Sequence, residues 1–137
     1  WGVYGNLDFR IMNSLSVSAG LRWSIEEKQA DWIIDSTAAP LFGLATGAFR
    51  DSRRDSDVSP TISISHDILN NAMLFVRYAE GFKSGGYNLD YVSSAIFPGN
   101  LEFDKESAQS IEAGIKGSML NDRAWVSLTM WNTATSR

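Results

Sequence analysis

The chain has 137 residues, no cysteine and a net charge of −4, with an isoelectric point near 4.9. That length allows one ordinary domain, and the missing cysteine excludes a disulfide framework or a thiolate metal site. The acidic balance argues against a nucleic-acid partner held by phosphate neutralisation.

Residues 3 to 11 alternate, with Val3, Gly5, Leu7, Phe9 and Ile11 against Tyr4, Asn6, Asp8 and Arg10. Met12-Asn13-Ser14 is a short turn, after which Leu15, Val17, Ala19, Leu21, Trp23 and Ile25 share one face. A period of two is that of a half-buried strand, and so short a connection makes an antiparallel hairpin. Residues 28 to 56 lose the apolar period, carry Pro40, Gly43 and Gly47, and end in Arg50-Asp-Ser-Arg-Arg-Asp-Ser56, so a long loop is expected there. A third strand follows, with Val58, Pro60, Ile62, Ile64, His66 and Ile68 on one face and Asp57, Ser59, Thr61, Ser63, Ser65 and Asp67 on the other. Leu69-Asn70-Asn71 turns the chain into a fourth strand, where Leu74, Val76 and Tyr78 alternate with Arg77. That strand runs into Gly81, Gly85 and Gly86, and a second long loop extends from about Phe82 to Phe103. A fifth strand over about Ser107 to Ser118 and a sixth from Ala124 are joined by a tight turn at Met119 to Asp122. The sixth leaves open which face is apolar, because Trp125 and Trp131 oppose Val126, Leu128 and Met130.

The connections go short, long, short, long, short. The fold class is therefore all-β, built of antiparallel up-and-down hairpins. A soluble sandwich and a membrane barrel both give such alternation. No apolar run approaches the roughly 18 residues of a membrane helix, and a barrel needs none, because its strands average out in hydropathy. Three features favour the barrel. The strands run about 9 to 12 residues, near the roughly 9 to 11 that cross a bilayer when tilted. The apolar faces carry no charge in their central stretches, where an Arg or Lys at the midplane costs about 2–4 kcal/mol. Short turns at one end and long loops at the other are the asymmetry of outer-membrane barrels. Leu21, Leu74, Val76, Ile111, Ala113, Ile115 and Leu128 are then expected to face lipid, and Arg22, Arg77, Glu112 and Lys116 the lumen. Trp23 and Tyr78 fall on the apolar face near the long-loop end, where an aromatic girdle belongs. The competing reading is a soluble or surface-exposed all-β structural or adhesive domain, which detergent dependence would distinguish.

Tyr78-Ala-Glu-Gly-Phe-Lys-Ser-Gly-Gly-Tyr-Asn88 resembles the strand-to-loop segment of TonB-dependent outer-membrane receptors. Asp57-Val-Ser-Pro-Thr-Ile-Ser63 resembles the strand before it, and Ala19-Gly-Leu-Arg-Trp-Ser24 an earlier one. Phe103-Asp-Lys-Glu-Ser107, Ile111-Glu-Ala-Gly-Ile-Lys-Gly117 and Asn121-Asp-Arg123 resemble the next hairpin. The resemblance covers most of residues 15 to 131, and its nearest subclass is the ferric-siderophore receptor. It implies a barrel of about 22 strands with a plugged lumen, of which residues 1–137 are about six strands, an internal piece with the plug and TonB box absent. It also implies a Gram-negative outer membrane, lipid and lipopolysaccharide as surroundings, a ferric siderophore or similar scarce nutrient as ligand, and TonB as energy source through parts N-terminal to this stretch.

Ligand contacts are expected from the long loops: Lys83 and Tyr87 in the second, Arg53 and Arg54 in the first. Cations at the loop end would concentrate an anionic complex, and an aromatic ring would pack on its apolar parts. Lys83-Ser-Gly-Gly86 lacks the order of a phosphate loop and reads as a loop needing flexible glycines. Asp51, Asp55 and Asp57, interleaved with Arg50, Arg53 and Arg54, read as a solvated loop, with an ion or lipopolysaccharide phosphates as the sharper alternative. His66, the one histidine, reads as an interfacial residue rather than a base or metal ligand. Glu106 and Glu112 would lie roughly 20 Å apart on a strand, too far for paired acid–base work. No catalytic set, metal site or cofactor is expected.

Overall fold

The computed structural model describes residues 1–34, 37, 39–89 and 101–136. Parts of both expected loops, at 35, 36, 38 and 90–100, lie outside the described residues. The strands are β1 (Gly2–Met12), β2 (Leu15–Ile34), β3 (Gly47–Leu69), β4 (Ala72–Lys83), β5 (Gly86–Tyr87), β6 (Glu102–Phe103), β7 (Glu106–Met119) and β8 (Ala124–Ser136), with a 3-10 turn at Ala39–Phe42. Six of them form one sheet in the order β1-β2-β3-β4-β7-β8, and β5 pairs with β6. Sequence neighbours are thus sheet neighbours, as the alternation of short and long connections predicts.

The register fixes the faces. Val3 pairs with Trp23, Gly5 with Leu21, Leu7 with Ala19 and Phe9 with Val17, while Tyr4 pairs with Arg22 and Asp8 with Ser18. In the next hairpin Ile64 opposes Val76 and Ser63 opposes Arg77. In the last, Ile115 opposes Leu128 and Ala113 opposes Met130, which assigns the apolar face of β8 and puts Trp131 opposite Glu112. A slip of one residue would move every apolar side chain to the wrong face, so the pattern itself specifies the pairing.

Residues 28 to 56 are not one long loop. β2 continues to Ile34 and β3 begins at Gly47, so these strands have 20 and 23 residues rather than 9 to 12. A tilted crossing uses only about 9 to 11 of them, which leaves residues on both strands for water. The charged stretches Glu26-Glu-Lys-Gln-Ala-Asp31 and Arg50-Asp-Ser-Arg-Arg-Asp-Ser-Asp57 are the ones that must take that place, given the cost of charge in hydrocarbon.

The chain divides into two units. Unit 1 holds Trp1–Ser24, Asp57–Phe82 and Ser107–Ser136, and unit 2 holds Ile25–Ser56 and Lys83–Glu106. Among the described residues, the buried apolar side chains (Ile25, Ala30, Ala39, Ala45 and Leu101) all belong to unit 2. There Leu101 and Ala45 pack with Trp32, Phe49 and Leu89, and the Asn88 amide donates to the Leu101 carbonyl at 2.8 Å.

Unit 1 has no such core. Leu7 is 63% exposed, Leu21 56%, Val76 52% and Leu128 66%. Burying one side chain of this size gains about 1.5–3 kcal/mol. Leaving a whole face of them in water forfeits more than the roughly 5–15 kcal/mol by which proteins are stable. The apolar face therefore requires a non-aqueous neighbour.

Close contacts lock unit 1 on its polar face and at its turns. A Cβ on Gly114 would lie 2.5 Å from the Leu128 carbonyl and 2.8 Å from the Phe75 ring, so glycine makes the space that ring occupies. Lys116 Nζ lies 4.8 Å from the centre of that ring, a cation–π contact. Asn71 Nδ2 donates to the Ser118 carbonyl and the Ser118 amide donates to the Asn71 carbonyl, both at 2.8 Å, tying the β3–β4 turn to β7. His66 Nδ1 lies 3.1 Å from the Ser14 carbonyl and the Asp67 amide donates to the same oxygen at 2.7 Å, which gives the histidine a structural partner at the turn end.

Candidate functional site

Unit 2 is held by charge pairs that follow the period of β3. From Phe49 to Ser65 the odd-numbered residues are half-buried or buried, and most even-numbered ones are exposed. On the exposed face Arg50 donates to Asp31 at 2.5 Å and Arg54 lies 3.5 Å from Glu27, both partners being on β2. On the inner face Arg53 grips Asp55 as a fork, Nε to Oδ2 at 2.9 Å and a terminal nitrogen to Oδ1 at 3.1 Å. Arg53 also lies 3.7 Å from Glu102 and 3.5 Å from Asp104. Its side chain is 16% exposed and that of Asp55 9%. The Arg53 bond, with further help from the Gly85 amide, holds the Asp55 carboxyl below its ordinary pKa despite its enclosure.

The glycine loop is bolted to this cluster. Lys28 Nζ donates to the Gly85 carbonyl at 2.8 Å and Ser84 Oγ donates to Glu26 Oε2 at 2.6 Å. Ser84, Gly85 and Gly86 are buried. A Cβ on Gly85 would overlap both Arg53 Cζ and the Phe103 carbonyl, and one on Gly86 would sit 2.9 Å from the Phe103 ring. The expectation of a loop needing flexible glycines is corrected here. These two glycines are required for close approach, and neither has a left-handed backbone.

Tyr87 packs edge to face on Phe49, ring centres 5.7 Å apart. Its hydroxyl is enclosed beside Asp51, without a well-formed hydrogen bond among the described residues, and burial followed by the charges of Asp51 and Glu102 pushes its pKa up. Asp51 and Glu102 face each other, and their interaction holds Asp51 below the ordinary carboxylate value and raises Glu102. A groove of about 470 Å³ runs along Lys28, Asp31, Gly86, Tyr87 and Phe103. A second, of about 490 Å³, shares Gln29, Ala30 and Asp31 with it and is bounded by Arg50 and Asp51.

Of the four expected ligand contacts, Arg53 and Tyr87 come together in this acidic cluster. Arg53 is matched by carboxylates and Tyr87 is half-buried. Arg54 is exposed and pairs with Glu27. Lys83 is exposed and makes no ion pair or hydrogen bond among the described residues. Of the expected lumen residues, Arg22 and Arg77 line one cavity of about 440 Å³, whereas Glu112 and Lys116 lie on β7 opposite Trp131 and Ser127. Sequence reasoning did not single out Glu26, Lys28, Phe49, Glu102 or Phe103, which build the walls of unit 2.

An antiparallel up-and-down sheet, apolar and open on one face and charged on the other, defines strands of a transmembrane β-barrel. The chain belongs to the TonB dependent receptor-like β-barrel family, whose sequence model matches residues 1–136. That family resides in the outer membrane of Gram-negative bacteria, and these strands lie there. The fold is similar to the crystal structure of the ferric yersiniabactin uptake receptor FyuA from Yersinia pestis, with a TM-score of 0.77 at 16% identity over 98% of this chain. The match covers 20% of that receptor, so the chain spans about a fifth of its length.

Proposed function

We propose that residues 1–137 are part of the barrel of an outer-membrane active transporter that takes up a ferric siderophore or a similar scarce nutrient, energised through TonB. On this reading the plug and the TonB box belong to other parts of the protein, and the exposed charges of β2 and β3 meet lipopolysaccharide. The family supports the transporter class, and the likeness in fold to a receptor for a ferric siderophore is consistent with the cargo.

The observation that carries the ligand reading is the unit 2 groove, in which an aromatic wall of Tyr87 and Phe103 stands beside the ammonium of Lys28. Lys83 is the exposed cation to draw in an anionic complex, with Arg54 beside Glu27 as a second that a ligand would have to share, Tyr87 is its aromatic contact, and Arg53 braces the acidic cluster beside it.

The test is binding and uptake of a ferric siderophore by the intact receptor with Lys83→Ala and Tyr87→Ala combined. A loss of about tenfold in affinity, equivalent to about 1.4 kcal/mol, is expected with folding intact, and wild-type uptake should stop when the proton gradient is collapsed. Unchanged affinity at both low and moderate salt would remove these residues from the site.

A further inference from the structure

The β5–β6 hairpin of unit 2 meets β3 through carboxylates. It has two ladder pairs of its own, Gly86 with Phe103 and Tyr87 with Glu102. So short a hairpin is marginal by itself, and its contacts with β3 decide where it rests. Glu102 faces Asp51 on β3, and the Tyr87 hydroxyl is enclosed beside that same Asp51. Arg53, also on β3, lies 3.7 Å from Glu102 and 3.5 Å from Asp104. Its fork is held by Asp55, at 2.9 and 3.1 Å. The nearby lysines bond to backbone: Lys28, on β2, donates to the Gly85 carbonyl at 2.8 Å and Lys105 to the Ser56 carbonyl at 3.1 Å.

Two carboxyl groups in contact repel when both are ionised, and one proton between them turns the repulsion into a charge-assisted hydrogen bond. We propose that Asp51 and Glu102 form a proton-operated clasp, which holds the β5–β6 hairpin against β3 while one proton is bound and loosens it when both acids are ionised. The mutual contact raises Glu102 and lowers Asp51. Stability from a raised acid is present below its ordinary value and fades as pH climbs through the raised one. Asp51 and Asp55, both lowered, lose their contributions only in stronger acid. The clasp is therefore closed in mild acid and loosens toward neutral pH. The Lys28–Gly85 and Arg53–Asp55 bonds do not use this proton, so the opening is confined to β5 and β6. Those strands carry Tyr87 and Phe103, the aromatic wall of the proposed ligand groove. The effect on ligand rests on that reading, whereas the clasp itself does not.

The test is a distance between spin labels at Gln29 and Asn88, both exposed, in the intact receptor made free of other cysteines. A chelator is present throughout, so that no divalent cation bridges the acids in place of the proton. The receptor with its native acids should give a short, narrow distance distribution at about pH 5 and a longer, broader one at about pH 7.5. Glu102→Gln offers Asp51 a neutral donor at every pH and should keep the short distribution at both. Asp104→Asn removes an acid that touches Arg53 and should keep the pH response.

Circular dichroism at both pH values separates loosening of the hairpin from loss of the barrel. A distribution that does not change between the two pH values, or a change that persists in Glu102→Gln, would overturn the proposal. So would an equal loss of the response in Asp104→Asn, which would reduce it to summed charge around Arg53. Ferric-siderophore affinity, read on unlabelled protein, should weaken toward neutral pH in wild type and not in Glu102→Gln. The label distance needs no ligand, so a pH response abolished by Glu102→Gln in a receptor that binds no siderophore would support the clasp and count against the cargo reading alone.

Discussion

Leu21→Arg in the intact receptor should cut the yield of folded, membrane-inserted protein severely, while Arg22→Leu should leave it near wild type. The two positions are adjacent, and both sit on β2 with partners in the same ladder, Gly5 and Tyr4. They differ only in face. Leu21 is 56% exposed on the face that has no protein against it, so an arginine there enters hydrocarbon at a cost of about 2–4 kcal/mol. Arg22 lies on the polar face, where a leucine meets no lipid and displaces no partner carboxylate. Quantifying the folded fraction of each variant in outer membranes decides it, and equal losses would remove the case for a bilayer against this face.

Gly85→Ala should open the unit 2 loop without unfolding the barrel. The added methyl would overlap a backbone carbonyl and the Arg53 guanidinium carbon, and Arg53 is itself tied to Asp55. Neither neighbour yields freely, so overpacking of about 1–3 kcal/mol is expected. That cost should appear as faster protease nicking within residues 83–106 and weaker ligand binding. Gly81→Ala is the control, because nothing lies within 4 Å of a Cβ there. If the two alanines behave alike in limited proteolysis, the close-packing account of the glycine loop is wrong.

The part of the fold legible in the sequence was the part in which apolar and polar residues alternate. Phe9, Leu21, Ile64, Val76 and Ile115 stand against Asp8, Arg22, Ser63, Arg77 and Lys116, and the register follows from them. The extensions of β2 and β3 were not legible, because their period of two runs between one charged set and another. Asp51, Arg53 and Asp55 turn inward while Arg50, Ser52 and Arg54 turn out, so apolar periodicity is silent where the strand persists. The spacing of Arg53 and Asp55, two apart and therefore on one face, was the available signal, as was the run of opposed charges at Glu26–Asp31. The bolting of Gly85 could not be read at all, since it depends on Lys28 and Phe103, which lie far apart in the chain.

The central claim is that one face of this sheet meets lipid and the other a wet interior. The most direct test is spin-label accessibility along β4 in the intact receptor. This stretch contains no cysteine, so residues 73 to 78 can be labelled one at a time. Labels at Leu74, Val76 and Tyr78 should be open to oxygen dissolved in the bilayer and closed to a water-soluble nickel reagent, with Met73, Phe75 and Arg77 the reverse. Uniform access along the strand, or an alternation of the opposite phase, would contradict the assignment.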